Sequence, residues 1–161
     1  MAPEKLENQK EQAAESIAVI TLDSSAVFAL LNRRDPDHRR VKAALEEDPG
    51  PYLIPAAILG EVAYLVEARL GNKAMDLFLD DLVTGGYSLD CGEDELPRAR
   101  YLAKKYADLP LGFADAAVVA CAEANGKRVL TLDTRDFSVA GKESGLAILP
   151  GFPESRAQPR R

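Results

Sequence analysis

Two short apolar segments of the chain end in the same pattern, Thr-Leu-Asp. Residues 17–22 lead to Asp23, and residues 129–132 lead to Asp133. Short apolar segments with many β-branched residues are typical of strands that are buried on both faces of a parallel sheet. Ligands of open α/β sheets bind beyond the carboxyl ends of the strands. The pattern therefore predicts that Asp23 and Asp133 lie at the functional edge of such a sheet.

Predicted strands alternate with predicted helices along the rest of the chain. Helices begin at capping or starting residues such as Ser24 and Pro36, and end at breakers such as Gly71 and Gly126. The predicted strands span residues 17–22, 52–54, 87–89, 128–132 and 146–149, and the predicted helices span residues 24–32, 36–47, 56–70, 73–83, 93–106 and 113–124. This alternation predicts an α/β fold with a mostly parallel central sheet between helices.

The length of 161 residues is that of one ordinary domain. Residues 1–16 are polar and are predicted to form a disordered extension, residues 17–150 to form the domain, and residues 151–161 to form a basic tail. No apolar segment reaches the roughly 18 residues that span a membrane, and the polar start is unlike a secretory signal. The sequence therefore predicts a cytoplasmic protein without a membrane partner.

The two cysteines, Cys91 and Cys121, lie far apart in the sequence. Neither has a second cysteine or a histidine at a spacing that is typical of a zinc site. Disulfides are also rare in the cytoplasm. Both residues are therefore predicted to be small packing residues that form neither a metal site nor a disulfide.

The net charge of −6 argues against broad electrostatic binding to nucleic acid. The basic side chains are nevertheless clustered after the first predicted helix. The cluster contains Arg33, Arg34, His38, Arg39, Arg40 and Lys42. Such a cluster is either an ordinary solvated surface or, beside a metal-filled acidic centre, a rim that holds a polyanion.

Two further acids lie on predicted helices among apolar neighbours. All residues three and four positions from Glu61 are apolar in character, and Asp115 has similar surroundings. An acid within an apolar helical face is hard to explain by packing alone, although a helix dipole would also favour Asp115 in its first turn. Simple helix capping is the alternative for Asp23 and Asp133. Together, four acids where burial is expected require positive charge, and a divalent metal is the simplest source.

Five blocks of sequence carry a resemblance to a known family. They are LDSSAVFALL at residues 22–31, PDH at 36–38, GEVAYLV at 60–66, DLPLGFADAAVVACAE at 108–123 and VLTLDTRDF at 129–137. In these blocks the chain resembles the PIN-domain ribonucleases, and among them the VapC-like toxins of toxin–antitoxin pairs. The resemblance extends over residues 19–149 and implies a PIN-like three-layer α/β/α sandwich.

The four acids fall on the acidic positions of that family. The resemblance therefore implies that Asp23, Glu61, Asp115 and Asp133 form the catalytic and metal-binding set. Ser25 would be an accessory hydroxyl, with Ser24 as its alternative. Asp136 is a second acid near the fourth position, and it either shares the role of Asp133 or replaces it.

The chemistry of phosphodiester hydrolysis fits these residue types. The reaction needs an activated water and stabilisation of the departing oxygen, which Mg²⁺ or its substitute Mn²⁺ supplies from hard oxygen ligands. We expect Asp23 and Asp115 to bind the principal ion. Glu61 and Asp133 would then hold a second ion or orient waters, and a site with one ion fits the sequence equally well.

The resemblance also implies partners: an RNA substrate, a small cognate antitoxin and a second copy of the chain in a homodimer. Residues 56–83 offer apolar helical surface for the last two. The basic residues Arg33, Arg34, His38, Arg39 and Arg40 are candidates for RNA binding. The alternative function is a non-catalytic PIN-like module that binds RNA or protein. A dehalogenase-like phosphatase is disfavoured, since its Asp-x-Asp motif would need an aspartate where Ser25 stands.

Overall fold

Five short strands form a parallel sheet in the computed structural model, which describes residues 19–150. Every pairing between neighbouring strands is parallel, and the spatial order is β3-β2-β1-β4-β5. The strands are β1 (Ile20–Leu22), β2 (Tyr52–Pro55), β3 (Ser88–Asp90), β4 (Arg128–Leu130) and β5 (Ala147–Leu149). The predicted parallel sheet is confirmed. The predictions for residues 1–16 and 151–161 concern segments that lie outside the described residues.

Seven helices connect the strands within residues 19–150. They are α1 (Ser24–Leu31), α2 (His38–Glu47), α3 (Leu59–Leu70), α4 (Asn72–Val83), α5 (Leu96–Lys105), α6 (Phe113–Ala124) and α7 (Thr134–Ala140). Short 3₁₀ turns, Ala56–Ile58 and Glu93–Glu95, precede α3 and α5. The sequence predicted all of the helices except α7, whose seven residues are too few to show a clear helical period. No helix in this part of the chain is both long and apolar enough to cross a bilayer.

The strand order places the helices in two layers. Connections between parallel strands are almost always right-handed. Because the chain moves from β1 to β2 to β3 in one direction and returns past β1 to β4 and β5, the helices α1–α4 lie on one face and α5–α7 on the other. This is the predicted α/β/α sandwich.

The helix α6 is the most deeply buried helix of the domain. Seven consecutive residues, 116–122, are buried, and all are Ala, Val or Cys. Small side chains allow the backbone of α6 to lie close to the sheet on one side and to α5 on the other. The first turn of α6, which carries Asp115, is therefore held on a rigid support.

The prediction that Cys91 and Cys121 are unpaired was wrong. The two residues form a disulfide, with their Cα atoms 5.7 Å apart. Cys91 directly follows the edge strand β3, and Cys121 lies in α6, so the bond joins the sheet edge to the buried helix. Sequence spacing could not reveal this pair, because the crossover from β3 to α6 sets the distance between the two residues.

Truncation of Phe78 tests the packing of the first helical layer. Phe78 of α4 is fully buried and lies 6.2 Å from Tyr87 between ring centroids. Phe78→Ala should lower the free energy of unfolding by roughly 3–5 kcal/mol, as measured by urea denaturation. The neighbouring Leu77 is 59% exposed, so Leu77→Ala should change it by less than about 0.5 kcal/mol. Equal losses in the two variants would contradict this packing.

Candidate active site

The carboxyl ends of β1 and β4 bring Asp23 and Asp133 to one edge of the sheet. The two strands are neighbours, and Leu22 of β1 lies opposite Leu130 of β4. In this register Asp23 is level with Thr131, and Asp133 lies two residues further along the chain. The repeated Thr-Leu-Asp pattern therefore marks the correct edge, but its two aspartates do not occupy equivalent positions.

Neutral donors surround the carboxylate of Asp23, which is only 3% exposed. Oδ1 accepts a hydrogen bond from the backbone N–H of Ser24 at 2.7 Å. Oδ2 accepts from the hydroxyls of Ser25 at 2.9 Å and Thr131 at 2.8 Å. Asp23 thus caps α1, as the alternative interpretation of the sequence held, but it also keeps a second oxygen that is oriented by two side chains.

Thr131 is a site residue that the sequence analysis missed. It is fully buried, donates to Asp23, and accepts a hydrogen bond from the backbone N–H of Asp133 at 3.0 Å. One hydroxyl therefore connects the two strand-end aspartates. The sequence feature that could have identified Thr131 is that it is a polar residue within the otherwise apolar segment before Asp133.

The hydroxyls of both serines after Asp23 contact its carboxylate, with Ser24 Oγ 3.4 Å from Oδ1, and each also has a second partner. The Ser25 hydroxyl donates to Asp23 and accepts from the backbone N–H of Leu132 at 3.1 Å. The Ser24 hydroxyl donates to Oε1 of Glu61 at 3.2 Å. The resemblance implied that only one of these serines supplies the accessory hydroxyl. In the structure, both hydroxyls donate hydrogen bonds to acids of the cluster.

Glu61 lies in the first turn of α3 and is exposed, so the expectation that it is buried was wrong. The buried residues of α3 are Val62 and Val66, which turn toward the core. Position 61 lies beside that face, at the end of the helix. Glu61 still approaches the cluster, since Ser24 links it to the cap of α1.

Mutual repulsion is visible at Asp115. Burial is the largest cause of a raised pKa at this half-buried carboxyl, and the negative charges of Asp23, Asp133, Glu61 and Asp136 follow in that order. Together they raise the pKa to about 6. The four predicted acids therefore lie close enough to act on one another. Asp136 is also buried, and its charge raises the Asp115 pKa by less than that of Asp133 does.

Asp133 caps α7 while it takes part in this cluster. Its Oδ1 accepts from the backbone N–H of Asp136 at 3.4 Å. Burial raises the pKa of Asp133, and the hydrogen bond from Asp136 opposes that shift. Asp133 therefore acts both as a helix cap and as a member of the acidic cluster, as Asp23 does.

The donor set is suited to a hard divalent cation. The ion pairs found within residues 19–150 join lysines and arginines to acids outside the cluster. In this part of the chain no three acidic, histidine or cysteine side chains already converge on one ion position. Mg²⁺ often uses only one or two protein carboxylates and completes its shell with water and phosphate oxygens. Asp23 is the neighbour whose charge raises the Asp115 pKa most, so these two carboxylates are the nearest candidates of the ligand type that this ion prefers.

The structure does not bring the basic stretch to the acids. Arg33 and His38 line a cavity of about 580 Å³ together with Tyr52, which begins β2 at the amino end of the sheet. The eight residues of α1 separate them from Asp23 by about 12 Å along the helix axis. His38 Nδ1 donates to the carbonyl of Ala29 at 2.8 Å, which gives it a structural role at the end of α1.

The remaining basic residues are neighbours in the sequence of Arg33 and His38, which line that cavity. Arg34 and Arg39 are exposed. Arg40 is partly buried and forms an ion pair with Asp37 at 3.4 Å. All of these residues follow the end of α1 that is opposite to Asp23, so any contact that they make with RNA would lie away from the Asp23 carboxylate.

Comparisons with known proteins agree with this geometry. A family model for the PIN domain matches residues 20–143. Ribonuclease VapC26 of Mycobacterium tuberculosis is 34% identical over 119 residues, which cover 73% of this chain and 88% of that protein. The M. tuberculosis VapC20 structure, a toxin that cleaves the sarcin–ricin loop, superposes with a TM-score of 0.67 at 25% identity, covering 76% of this chain and 95% of VapC20.

A more distant structure shows the same fold. It is the DNA-bound VapBC complex from Salmonella typhimurium, with a TM-score of 0.62 at 16% identity. The match covers 81% of this chain and 96% of that chain.

Replacing Thr131 with valine tests the bridge between the two aspartates. Thr131→Val keeps the shape but removes the donor to Asp23 and the acceptor for Asp133, so it should lower the free energy of unfolding by about 1–3 kcal/mol. Thr131→Ser retains the hydroxyl and should lose clearly less. Urea denaturation in EDTA measures both variants, and a larger loss for the serine variant would contradict the bridge.

Neutralising Asp115 tests the repulsion. Because its pKa is raised in the folded state, Asp115 destabilises the metal-free fold as the pH rises from about 4 to about 6. Asp115→Asn should raise the free energy of unfolding near pH 7.5 by about 1 kcal/mol, after discounting for solvent screening, and should have little effect near pH 4. Urea denaturation in EDTA measures the difference. Asp76→Asn, at an exposed position on α4, is the matched control and should be neutral at both pH values.

Proposed function

Because the chain belongs to the PIN-domain family, we propose that its acidic cluster makes it a metal-dependent endoribonuclease that hydrolyses phosphodiester bonds in single-stranded RNA. The observation that carries this proposal is the convergence of acidic side chains at one edge of the sheet, where Asp23, Asp133, Glu61 and Asp136 lie close enough to add to the effect of burial on the Asp115 pKa. The hydrogen bonds to Asp23 come from neutral groups. An acidic cluster that is oriented by neutral donors retains negative charge for a cation.

Asp23 and Asp115 would hold the principal Mg²⁺, for which Mn²⁺ can substitute, and Glu61 and Asp133 would hold a second ion or orient waters. Such an ion lowers the pKa of the attacking water and offsets charge on the phosphate and the leaving oxygen. The protein's own contribution is orientation. Thr131 and Ser25 fix the Asp23 carboxylate in advance, so little reorganisation is needed when the substrate binds.

We further propose that the protein is the toxin of a toxin–antitoxin pair and acts in the cytoplasm. The support is its similarity to the ribonuclease VapC26 and to the toxin VapC20. A small antitoxin and a second copy of the chain are the expected protein partners. The helices α3 and α4 expose Tyr64, Leu77 and Val83 by 73%, 59% and 84%, which gives apolar surface for such contacts.

A bound RNA strand would extend from the acidic cluster to the basic residues that follow α1. Arg33, Arg34 and Arg39 are exposed near the amino end of the sheet. We assign them to phosphates several nucleotides away from the cut, since α1 keeps them from the scissile position. His38 and Arg40 would support this surface.

A non-catalytic PIN-like module that binds RNA or protein is the second candidate. It is favoured by one observation, that no three potential ligands among the described residues already converge on one ion position. Cleavage with and without metal separates the two functions.

The purified protein should cleave a labelled pool of single-stranded RNA in Mg²⁺ or Mn²⁺ and be inactive in EDTA. Loss of residues that merely support a metal ligand costs about 10–100-fold in many metal sites, so Asp115→Asn should lower the cleavage rate by roughly 100-fold or more. Gel analysis of the cleavage products measures the rate. Asp76→Asn is the control and should cleave as the wild type does.

Thermal unfolding provides a reading of metal binding that does not depend on activity. Mg²⁺ and Mn²⁺ should raise the wild-type Tm, because they bind the folded cluster better than the unfolded chain. The Tm of Asp115→Asn should respond little. A wild type that cleaves RNA equally well in EDTA, or an Asp115→Asn variant with full activity, would refute the proposed mechanism.

A further inference from the structure

An open groove lies at the same edge of the sheet as the acidic cluster, across the first turn of α6 from Asp115. Its volume is about 720 Å³, and it is lined by Glu93, Asp94, Leu96, Pro97, Arg100 and Phe113. One wall is the 3₁₀ turn that follows β3, together with the start of α5. The other wall is Phe113, which begins α6 two residues before Asp115.

The two walls of the groove are fixed relative to each other. Arg98 of α5 donates from Nε and Nη2 to the two carboxylate oxygens of Glu123 of α6, at 2.7 and 3.1 Å. The Cys91–Cys121 disulfide also ties the segment before the turn to α6. The groove is therefore a preformed feature of the fold, which lowers the entropic cost of binding.

Apolar side chains form the floor of this groove and are open to solvent. Phe113 is 52% exposed and Leu96 is 48% exposed. Tyr101, another exposed aromatic residue of this region, lies under Arg98 and Lys105, at 5.0 and 5.7 Å from its ring centroid. The ring of Phe113 instead lines the groove, where it can stack on a planar ligand.

The charges at the rim select the part of a nucleotide that can enter. Glu93 and Asp94 would repel a phosphate, but their carboxylates can accept hydrogen bonds from the exocyclic amino groups of cytosine, adenine or guanine. Uracil has no amino group. Arg100 supplies a positive charge at the same groove, suited to the phosphate that follows an inserted base.

The helix geometry places Phe113 and Asp115 on opposite sides of the first turn of α6. Phe113 and Asp115 are separated by about 3 Å along the axis of α6 and by roughly 200° around it. Their side chains therefore point to different sides of the same helical turn. An RNA strand that crosses the amino end of α6 from Asp115 would bring the base of a nucleotide close to the scissile phosphodiester onto Phe113.

We propose that this groove is a nucleobase subsite, in which Phe113 stacks a base that flanks the scissile phosphodiester and Glu93 and Asp94 favour a base with an amino group. Phe113 is thereby a positioning residue, and the two acids determine specificity. The subsite rests on the proposed ribonuclease function, because its position has meaning only beside a cleavage centre.

Binding can be measured separately from cleavage by using Asp115→Asn as the background. The probes are short fluorescein-labelled oligo(A), oligo(C) and oligo(U), with fluorescence anisotropy in Mg²⁺. Adding Phe113→Ala should weaken binding of oligo(A) and oligo(C) by roughly 5- to 100-fold, whereas Phe113→Trp should retain it. Tyr64→Ala is the matched control, an exposed aromatic residue of α3 outside the groove, and should bind as the background does.

A double substitution tests the acids of the rim. Glu93→Ala with Asp94→Ala removes the acceptor oxygens and should bring the affinities for oligo(C) and oligo(U) closer together, even if both rise because negative charge is lost. In the active protein, sequencing the ends cut from a random single-stranded RNA library should show uridine disfavoured at one position beside the cut. Phe113→Ala and the double substitution should each remove that preference.

The outcomes separate the two proposals. A wild type that cuts no RNA with any metal refutes the ribonuclease function, while the anisotropy series still tests the groove. A wild type that cleaves, together with Phe113→Ala that binds and selects bases unchanged, refutes the subsite alone. A change of mass in light scattering for Phe113→Ala, without loss of RNA affinity, would make the groove a protein interface and would also refute the subsite.

Discussion

Repulsion among the carboxylates at the carboxyl edge of the sheet is the constraint on which the rest of this structure depends. Asp23 is buried, and the pKa of Asp115 rises to about 6, first because of burial and then because of the negative charges of its acidic neighbours. Hydrogen bonds from neutral groups hold Asp23 without cancelling its charge. The cluster is therefore less stable alone than with a cation, which is the electrostatic condition that a metal site requires.

The rest of the fold supplies the stability that this cluster lacks. The buried helix α6 and the central strand β1 carry Asp115 and Asp23 on rigid elements. The disulfide and the Arg98–Glu123 pair add connections between α6 and its surroundings. Sites built on regular elements can hold reacting groups more accurately than sites on loops. The well-packed core thus offsets the free-energy cost of the repulsion within the acidic cluster.

Sequence pattern predicted the elements where the local signal was long or well punctuated. The bounds of α6, residues 113–124, agree with the prediction, because an apolar helical run there ends at a clear breaker. The short helix α7 was missed, and β1 is shorter than predicted within the described residues. Seven residues contain too little periodicity to identify a helix, and apolar character continues beyond the residues that pair in a sheet.

The sequence by itself determined the α/β alternation and the four acids, since both depend on residue type and local spacing. Only the tertiary structure decided which groups support those acids. The register of β1 on β4 sets Thr131 level with Asp23, and the crossover to α6 joins Cys91 to Cys121. The tertiary structure also separates the basic residues from the acids, because α1 runs to the opposite edge of the sheet. These relations are distances between segments far apart in the chain, which local patterns do not contain.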